Sequence, residues 1–341
     1  MWMPYAFALL AVMLTPTRLT IALSSPRSSA KSKMPTYKFT PDRKDYDMKV
    51  TSLHRYAVKG LSGDPLKSAH FKPGDGTFED DRRYALLYEK NSDKFDSRSP
   101  EWLHKEQFLC AFTDPKGMAK LDTEYRVESC DEGGTTRTLT VWDRSKGRTS
   151  DPLVRSDLAC ESGRDQVARF FTERFGEKVV CVVAQTEDRH THQFGNTSSG
   201  VKNNDGDTRL IHIINSNTVK ELSGAIFEDE SYLRPTTFRP NVVVDGLEPW
   251  AEFDLIGKTI ESVPKDGDCD DNTMRFLVTS RTVRCAGIGV DPERPEEEHD
   301  IPASLIKHFP EHGPYLGIYA VRVDGEKNGV LSVGETFRVI Q

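Results

Sequence analysis

The chain has 341 residues, a formal net charge of −7, 29% charged side chains and 36% hydrophobic ones. That length suffices for two cores, and the charged share is that of a globular body rather than a disordered or membrane-embedded one. An acidic balance without a clustered basic face excludes nucleic acid as the expected partner. The six cysteines, Cys110, Cys130, Cys160, Cys181, Cys269 and Cys285, form no C-x-x-C pair, so neither a disulfide framework nor a structural zinc site is expected.

In chain order, "WMPYAFALLAVML" is apolar until Pro16 and Arg18 interrupt it. The run is short of the roughly 20 residues of a membrane span and resembles a signal-type segment. A Ser-, Lys- and Arg-rich stretch follows, so residues 1–47 read as a targeting segment and linker. They imply import into an organelle (mitochondrion or plastid) or membrane attachment through the N-terminus. From Met48, "KVTSLHRYAVKG", "DDRRYALLYEK", "KEQFLCAFTD", "TEYRVES" and "RTLTVWDR" read as short strands between turn clusters, the pattern of a barrel or sandwich. "GRDQVARFFTERFGE" places Val167, Phe170, Phe171 and Phe175 on one helical face and stops at Gly176. "EKVVCVVAQ" then reads as a buried strand.

The polar stretch "TEDRHTHQFGNTSSGVKNNDGDTR" is longer than an ordinary connection and reads as a lid or an insert. Its His190 and His192 form an H-x-H pair, for which solvated histidines are the plainer reading than a metal site. After it come a strand, "LIHII", and a helix over "TVKELSG", with Asn215, Ser216 or Asn217 as cap and Gly224 as stop. Strands are expected in "TTFRPNVVVDG", "LIGKTIESV", "MRFLVTSRTVRC", "GIYAVRV" and "VLSVGETFRVI", and a helix in "PASLIKHF". The acids of "KDGDCDDNT" lack the end of a calcium loop and suit a hairpin tip. The expected fold is mainly β: a β-barrel domain over 48–184, then a second β-barrel domain over 185–341 with a few peripheral helices.

Four stretches could carry chemistry. Arg284 beside Cys285 favours a thiolate, the form that ligates soft metals; an inert buried thiol is the plainer alternative. In "TFRPN", Arg239 and Asn241 offer a donor fork and an amide to a phosphate or a flat heterocycle, or else an edge strand with a surface Arg. Lys59 before Gly60 at a strand end can hold a phosphate at close backbone approach. Arg82, Arg83 and Arg98 sit at expected strand edges, where solvated charge is the ordinary outcome.

Together these stretches resemble a known family. "LHRYAVKGLSG", "DDRRYALLYE" and "SRSPEWL" look like the N-terminal β-barrel domain that precedes MOSC domains. "TFRPNVVVDG", "SRTVRCAGIGVDPE", "GPYLGIYAVRV" and "LSVGETFRV" resemble the MOSC domain itself, in a layout similar to the mitochondrial amidoxime-reducing components. The resemblance implies a pyranopterin molybdenum cofactor between two domains. Cys285 would be the metal ligand and catalytic residue, and Arg284 completes its motif. Lys59, Gly60, Arg82, Arg98, Arg239 and Asn241 would hold the cofactor, with Ser216 and Thr218 at a helix start suited to phosphate. Gly60 stands where the family commonly has Ser, Val283 where a polar residue often precedes the Cys by two, and the usual Thr-Gly turn after Cys285 is missing.

The implied function is an oxidoreductase that removes oxygen from small N-hydroxylated compounds. No ferredoxin-like cysteine cluster is present, so electrons would come from outside, by analogy from cytochrome b5 and its reductase. The alternatives are a non-catalytic carrier of the cofactor and a sulfur-transfer protein. The latter usually bears a pyridoxal-phosphate domain upstream, and no site for pyridoxal phosphate is evident here.

Overall fold

The computed structural model describes residues 48–129, 134–184, 192–195, 209–264 and 273–340. Residues 1–47, expected as a targeting segment and linker, Cys130, His190, Cys269 and the acidic stretch at 265–272 lie outside the described residues. Contacts divide the chain between Lys38 and Phe39, and all that follows concerns the second unit. Among the described residues no helix is long and apolar enough to cross a membrane.

Among the described residues fifteen strands follow one another: β1 (Met48–Arg55), β2 (Asp64–Leu66), β3 (Ser68–Phe71), β4 (Tyr84–Tyr88), β5 (Leu121–Ser129), β6 (Thr135–Asp143), β7 (Val154–Asp157) and β8 (Val179–Val183) come first. They are followed by β9 (Ile211–Asn215), β10 (Val242–Asp245), β11 (Thr259–Val263), β12 (Arg275–Val283), β13 (Tyr315–Arg322), β14 (Gly329–Ser332) and β15 (Thr336–Val339). Four α-helices accompany them, α1 (Pro115–Ala119), α2 (Glu161–Phe175), α3 (Ser216–Phe227) and α4 (Ile301–His308).

Seven strands close into a barrel in the order β10-β9-β13-β12-β11-β15-β1, with β1 returning to β10 and β2 attached beside β1. Closure leaves no open edge in the ring. The seventh strand therefore comes from the other end of the chain: Met48 pairs with Phe337 of β15, and Leu53 with Val242 of β10. β3 likewise pairs with β14. Alternation fills the interior, as in β12, where Phe276, Val278 and Thr282 are buried and Val283 faces out. Phe276 packs edge-on against Phe71 and Phe337 at 5.7 and 5.9 Å. Where β13 crosses β9 the backbones touch: a Cβ on Gly317, at φ +78°, would lie 2.8 Å from His212 Nε2 and from the Ile213 carbonyl.

The remaining strands pair as β4–β8 and as the antiparallel sheet β5-β6-β7, and close no ring of their own among the described residues. Their core gathers Leu86, Leu121, Val141, Leu158, Val167 and Phe171. α2 supplies the last two from one face, with Gly176 capping its end as its amide N–H donates to the Thr172 carbonyl.

Three local expectations are corrected. "KEQFLCAFTD" is no strand: residues Lys105–Gln107 form a 3-10 turn, and the Thr113 hydroxyl holds the chain in a further turn by donating to the Phe108 carbonyl and accepting from the Cys110 amide. "TFRPN" is a turn rather than the edge of a strand, and β10 begins only at Val242. α3 runs through Gly224 to Phe227, because Ile226 and Phe227 still pack on the barrel core.

Because β1 completes the ring, a fragment of residues 185–341 leaves β10 and β15 with unpaired edges. It is expected to aggregate or to melt without a cooperative transition, while 48–341 melts cooperatively; circular dichroism and size exclusion of the two fragments check this.

Candidate functional site

The end of β12 sets the site. Residues two apart on an extended chain share a face, so Val283 and Cys285 point one way and Arg284 the other. Arg284 continues the ladder, its amide N–H donating to the Pro314 carbonyl. Its guanidinium turns inward, donating to the Phe238 carbonyl at 2.8 Å and lying 3.4 Å from His212 Nε2. Its Nε is buried without a hydrogen-bond partner among the described residues. Cys285 is half-buried at the start of a 3-10 turn over Ala286–Ile288.

The strained turn before β10 supplies the second wall. Arg239 precedes a proline yet adopts a left-handed backbone, φ +58° and ψ +49°, a conformation that is costly for such a residue. Its neighbours hold it there. The Arg239 amide donates to the Thr236 carbonyl, and its own carbonyl accepts from Arg82 Nη2 at 3.1 Å, with His212 Nδ1 at 3.4 Å. The side chain then crosses to the first lobe, donating to the Leu61 carbonyl at 2.7 Å and lying 4.4 Å over the Tyr56 ring.

Arg82, also left-handed at φ +52°, comes from the turn before β4. It ion-pairs with Asp81 at 2.5 Å and lies 5.1 Å over the same tyrosine ring. Asp81 is fully buried and also accepts from the Tyr56 amide and from Gln193 Nε2. Gln193 and Phe194 thereby dock the middle of the long polar stretch on this wall, the Phe194 amide donating to the Arg82 carbonyl. Lys59 projects from the strand bridge beside Tyr84, its ammonium 5.1 Å over the Phe108 ring. The ammonium itself makes no hydrogen bond or ion pair among the described residues.

These side chains enclose a cavity of about 460 Å³ lined by Lys59, Gly60, Arg82, Arg239, Arg284 and Cys285, together with Cys110, His212 and Tyr319. No Asp or Glu lines it among the described residues. Burial, with Arg82 and Arg239 nearby, pulls the Lys59 pKa down to about 8. Burial likewise lowers Arg239 to about 10 and depresses Arg284. His212, buried and facing Arg284 and Arg82, is held well below the ordinary histidine value and is neutral. A second cavity of about 200 Å³ lies across Arg239 and Gly60. Its other arginines are neutralised, Arg234 by Asp291 and Glu293 and Arg144 by Asp122. The surplus positive charge belongs to the Cys285 cavity.

Not every expected residue is there. Asn241 is wholly buried behind the wall, accepting from the His212 amide and Arg82 and donating to the His54 carbonyl. It braces the site without lining it. Arg98 is exposed in the loop after β4. Ser216 follows the far end of β9, about 13 Å from His212 at strand spacing, and Thr218 lies in the first turn of α3. Ser216 donates to Asp245, and Thr218 is buried against Glu252, so carboxylates occupy the place expected for phosphate. Gly60 is explained by packing: at φ +88°, a Cβ there would lie 2.6 Å from Cys110 Cα. No sequence pattern singled out Tyr56, Gln193 or Tyr319 for the site, Cys110 stood only among the scattered cysteines, and His212 was legible only as a polar residue within an apolar strand.

A closed β-barrel thus carries a cation-lined cavity around a half-buried thiol, an arrangement whose chemistry suits an anion and a soft metal. Residues 191–338 match the family model of the MOSC domain, a module associated with binding of the molybdenum cofactor. No curated protein matches the chain in sequence. Among solved structures, the crystal structure of APC1665, the YUAD protein from Bacillus subtilis, is similar at 10% identity and a TM-score of 0.36, over 87% of this chain and 97% of that one.

The lowered Lys59 pKa has a consequence for stability. The unfolded chain binds the extra proton between pH 8 and 10.5, so this lysine's penalty is complete below pH 8 and is relieved as pH rises through that window. Lys59→Met is expected to stabilise the cofactor-free protein at pH 7 by roughly 1–3 kcal/mol. It should also flatten the gain in stability from pH 8 to pH 10, as read from urea midpoints.

Proposed function

We propose that the chain binds a pyranopterin molybdenum cofactor in the Cys285 cavity and uses it to reduce N-hydroxylated compounds. The observation that supports this most is the grouping of one half-buried thiol with four cations, Lys59, Arg82, Arg239 and Arg284, in a cavity without a lining carboxylate among the described residues. The residues fit such a group. The Lys59 ammonium and Arg284 Nε lack acceptors among the described residues, which an anionic phosphate and a pterin edge would provide. No cluster of three or more His, Cys, Asp or Glu side chains that could hold a bare ion exists among the described residues. A metal at Cys285 therefore needs a carrier that brings further soft ligands.

When bound, the group would supply two-electron removal of oxygen from an N–O bond. In balance, the N–O bond breaks, two electrons and two protons are consumed, and water leaves with the reduced nitrogen compound. The electrons are assigned to a separate protein, by resemblance a cytochrome b5 with its reductase. The chain's own part is positioning. Cys285 holds the metal end, Arg239 and Arg82 fix the pterin side through guanidiniums already aimed by backbone carbonyls, and Lys59 binds phosphate. The aromatic and apolar rim excludes water.

Protein made in a host that supplies the cofactor is expected to contain about one molybdenum per chain, the one-site stoichiometry of a single thiolate ligand. Such protein should reduce benzamidoxime with a suitable electron donor. Cys285→Ala should abolish reduction, and Arg239→Ala should lower molybdenum content. Full activity in the cysteine variant would remove Cys285 from the mechanism. Bound molybdenum without reduction of any N-hydroxylated probe would leave a carrier.

A further inference from the structure

We propose that the outer half of the Cys285 cavity is a substrate wall selective for uncharged compounds with a flat apolar body, and that Trp102 and Val283 are its specificity-determining residues. The inference rests on the cofactor reading, which assigns the cationic floor to the cofactor and leaves the outer half to the substrate.

The cavity is graded from inside to outside. Lys59 and Arg284 are 9% and 8% exposed, whereas Trp102 and Val283, which line the same cavity, are each 45% exposed. Val283 shares its strand face with Cys285, so a molecule seated over the sulfur meets its methyl groups. Its partner across the ladder, Tyr315, carries the apolar surface outward. The first lobe supplies the opposite side through Trp102, Leu103 and Phe112, the last packed so closely on Gly287 that a Cβ there would lie 3.3 Å away. An aromatic or planar body between an indole and a valine buries apolar area on both faces.

Charge sharpens the selection. Besides the floor cations, the charged lining residue is Lys105, whose ammonium sits 3.8 Å over the Phe112 ring. A cationic substrate would lose hydration against apolar side chains, find no carboxylate among the described lining residues, and face Lys105. An uncharged one has no such cost.

The test reads binding without turnover. Benzamidoxime and its para-trimethylammonium derivative are titrated into the molybdenum-loaded full chain by calorimetry. The neutral probe is expected to bind at least about tenfold more tightly. Val283→Asp, which places a carboxylate on the Cys285 face, should narrow or reverse that gap, and Trp102→Ala should weaken the neutral probe several-fold. Equal affinities, or an unchanged gap in Val283→Asp, would overturn the wall. Failure of both probes to bind would also do so and would leave the apolar mouth to a partner protein. Preferential binding without reduction would instead refute the proposed reaction and leave the wall standing.

Discussion

Everything at the site depends on how its guanidiniums are held. Arg82 donates to the Arg239 carbonyl, Arg239 to the Leu61 carbonyl and Arg284 to the Phe238 carbonyl. A carbonyl orients a cation without cancelling its charge, so each group is fixed while most of its field remains available. Asp81 is the one carboxylate among the described residues that directly pairs with this set, and it neutralises only Arg82. The price is visible in the depressed pKa values of Lys59, Arg239 and Arg284 and in the left-handed backbone at Arg82 and Arg239. Strain and unbalanced charge coincide at one cavity, which is where a binding site stores them.

The same bonds join the two lobes. Arg82 and Leu61 belong to the first lobe, and Arg239 and Asn241 to the barrel, with the Tyr56 ring beneath both guanidiniums. The site is thus a seam rather than a pocket within either lobe. A ligand that neutralises the cations would draw the two sides together, while the packing of Gly287 on Phe112 limits their closest approach.

Much of this was legible in the sequence where the signal was periodic. The alternation of "MRFLVTSRTVRC" matches β12, and the spacing of Val167 and Phe171 matches the buried face of α2. The Cys285, Arg239, Arg82 and Lys59 stretches, far apart in sequence, do converge on one cavity. What failed was the step from local chemistry to direction. Asn215 caps α3 as expected, but the helix starts at the end of β9 remote from His212, so Ser216 and Thr218 face Asp245 and Glu252 instead. Arg98 carries the same charge as Arg82, but its loop turns to solvent. Tyr56 and Tyr319 could not be singled out, since an aromatic at a strand end reads as core until its neighbours are known.

The first strand of the barrel is the first to be synthesised and the last to find both partners. Met48 must wait for Phe337, which at ordinary translation rates is a delay on the order of tens of seconds. During that interval the nascent strand is an unclaimed template for association. Its composition suits the wait: Lys49 and Thr51 face outward between the buried Met48 and Val50, interrupting the greasy run that other chains would otherwise join. Vectorial synthesis therefore lets the first lobe fold ahead of the ring, and ring closure becomes the final, chain-completing event.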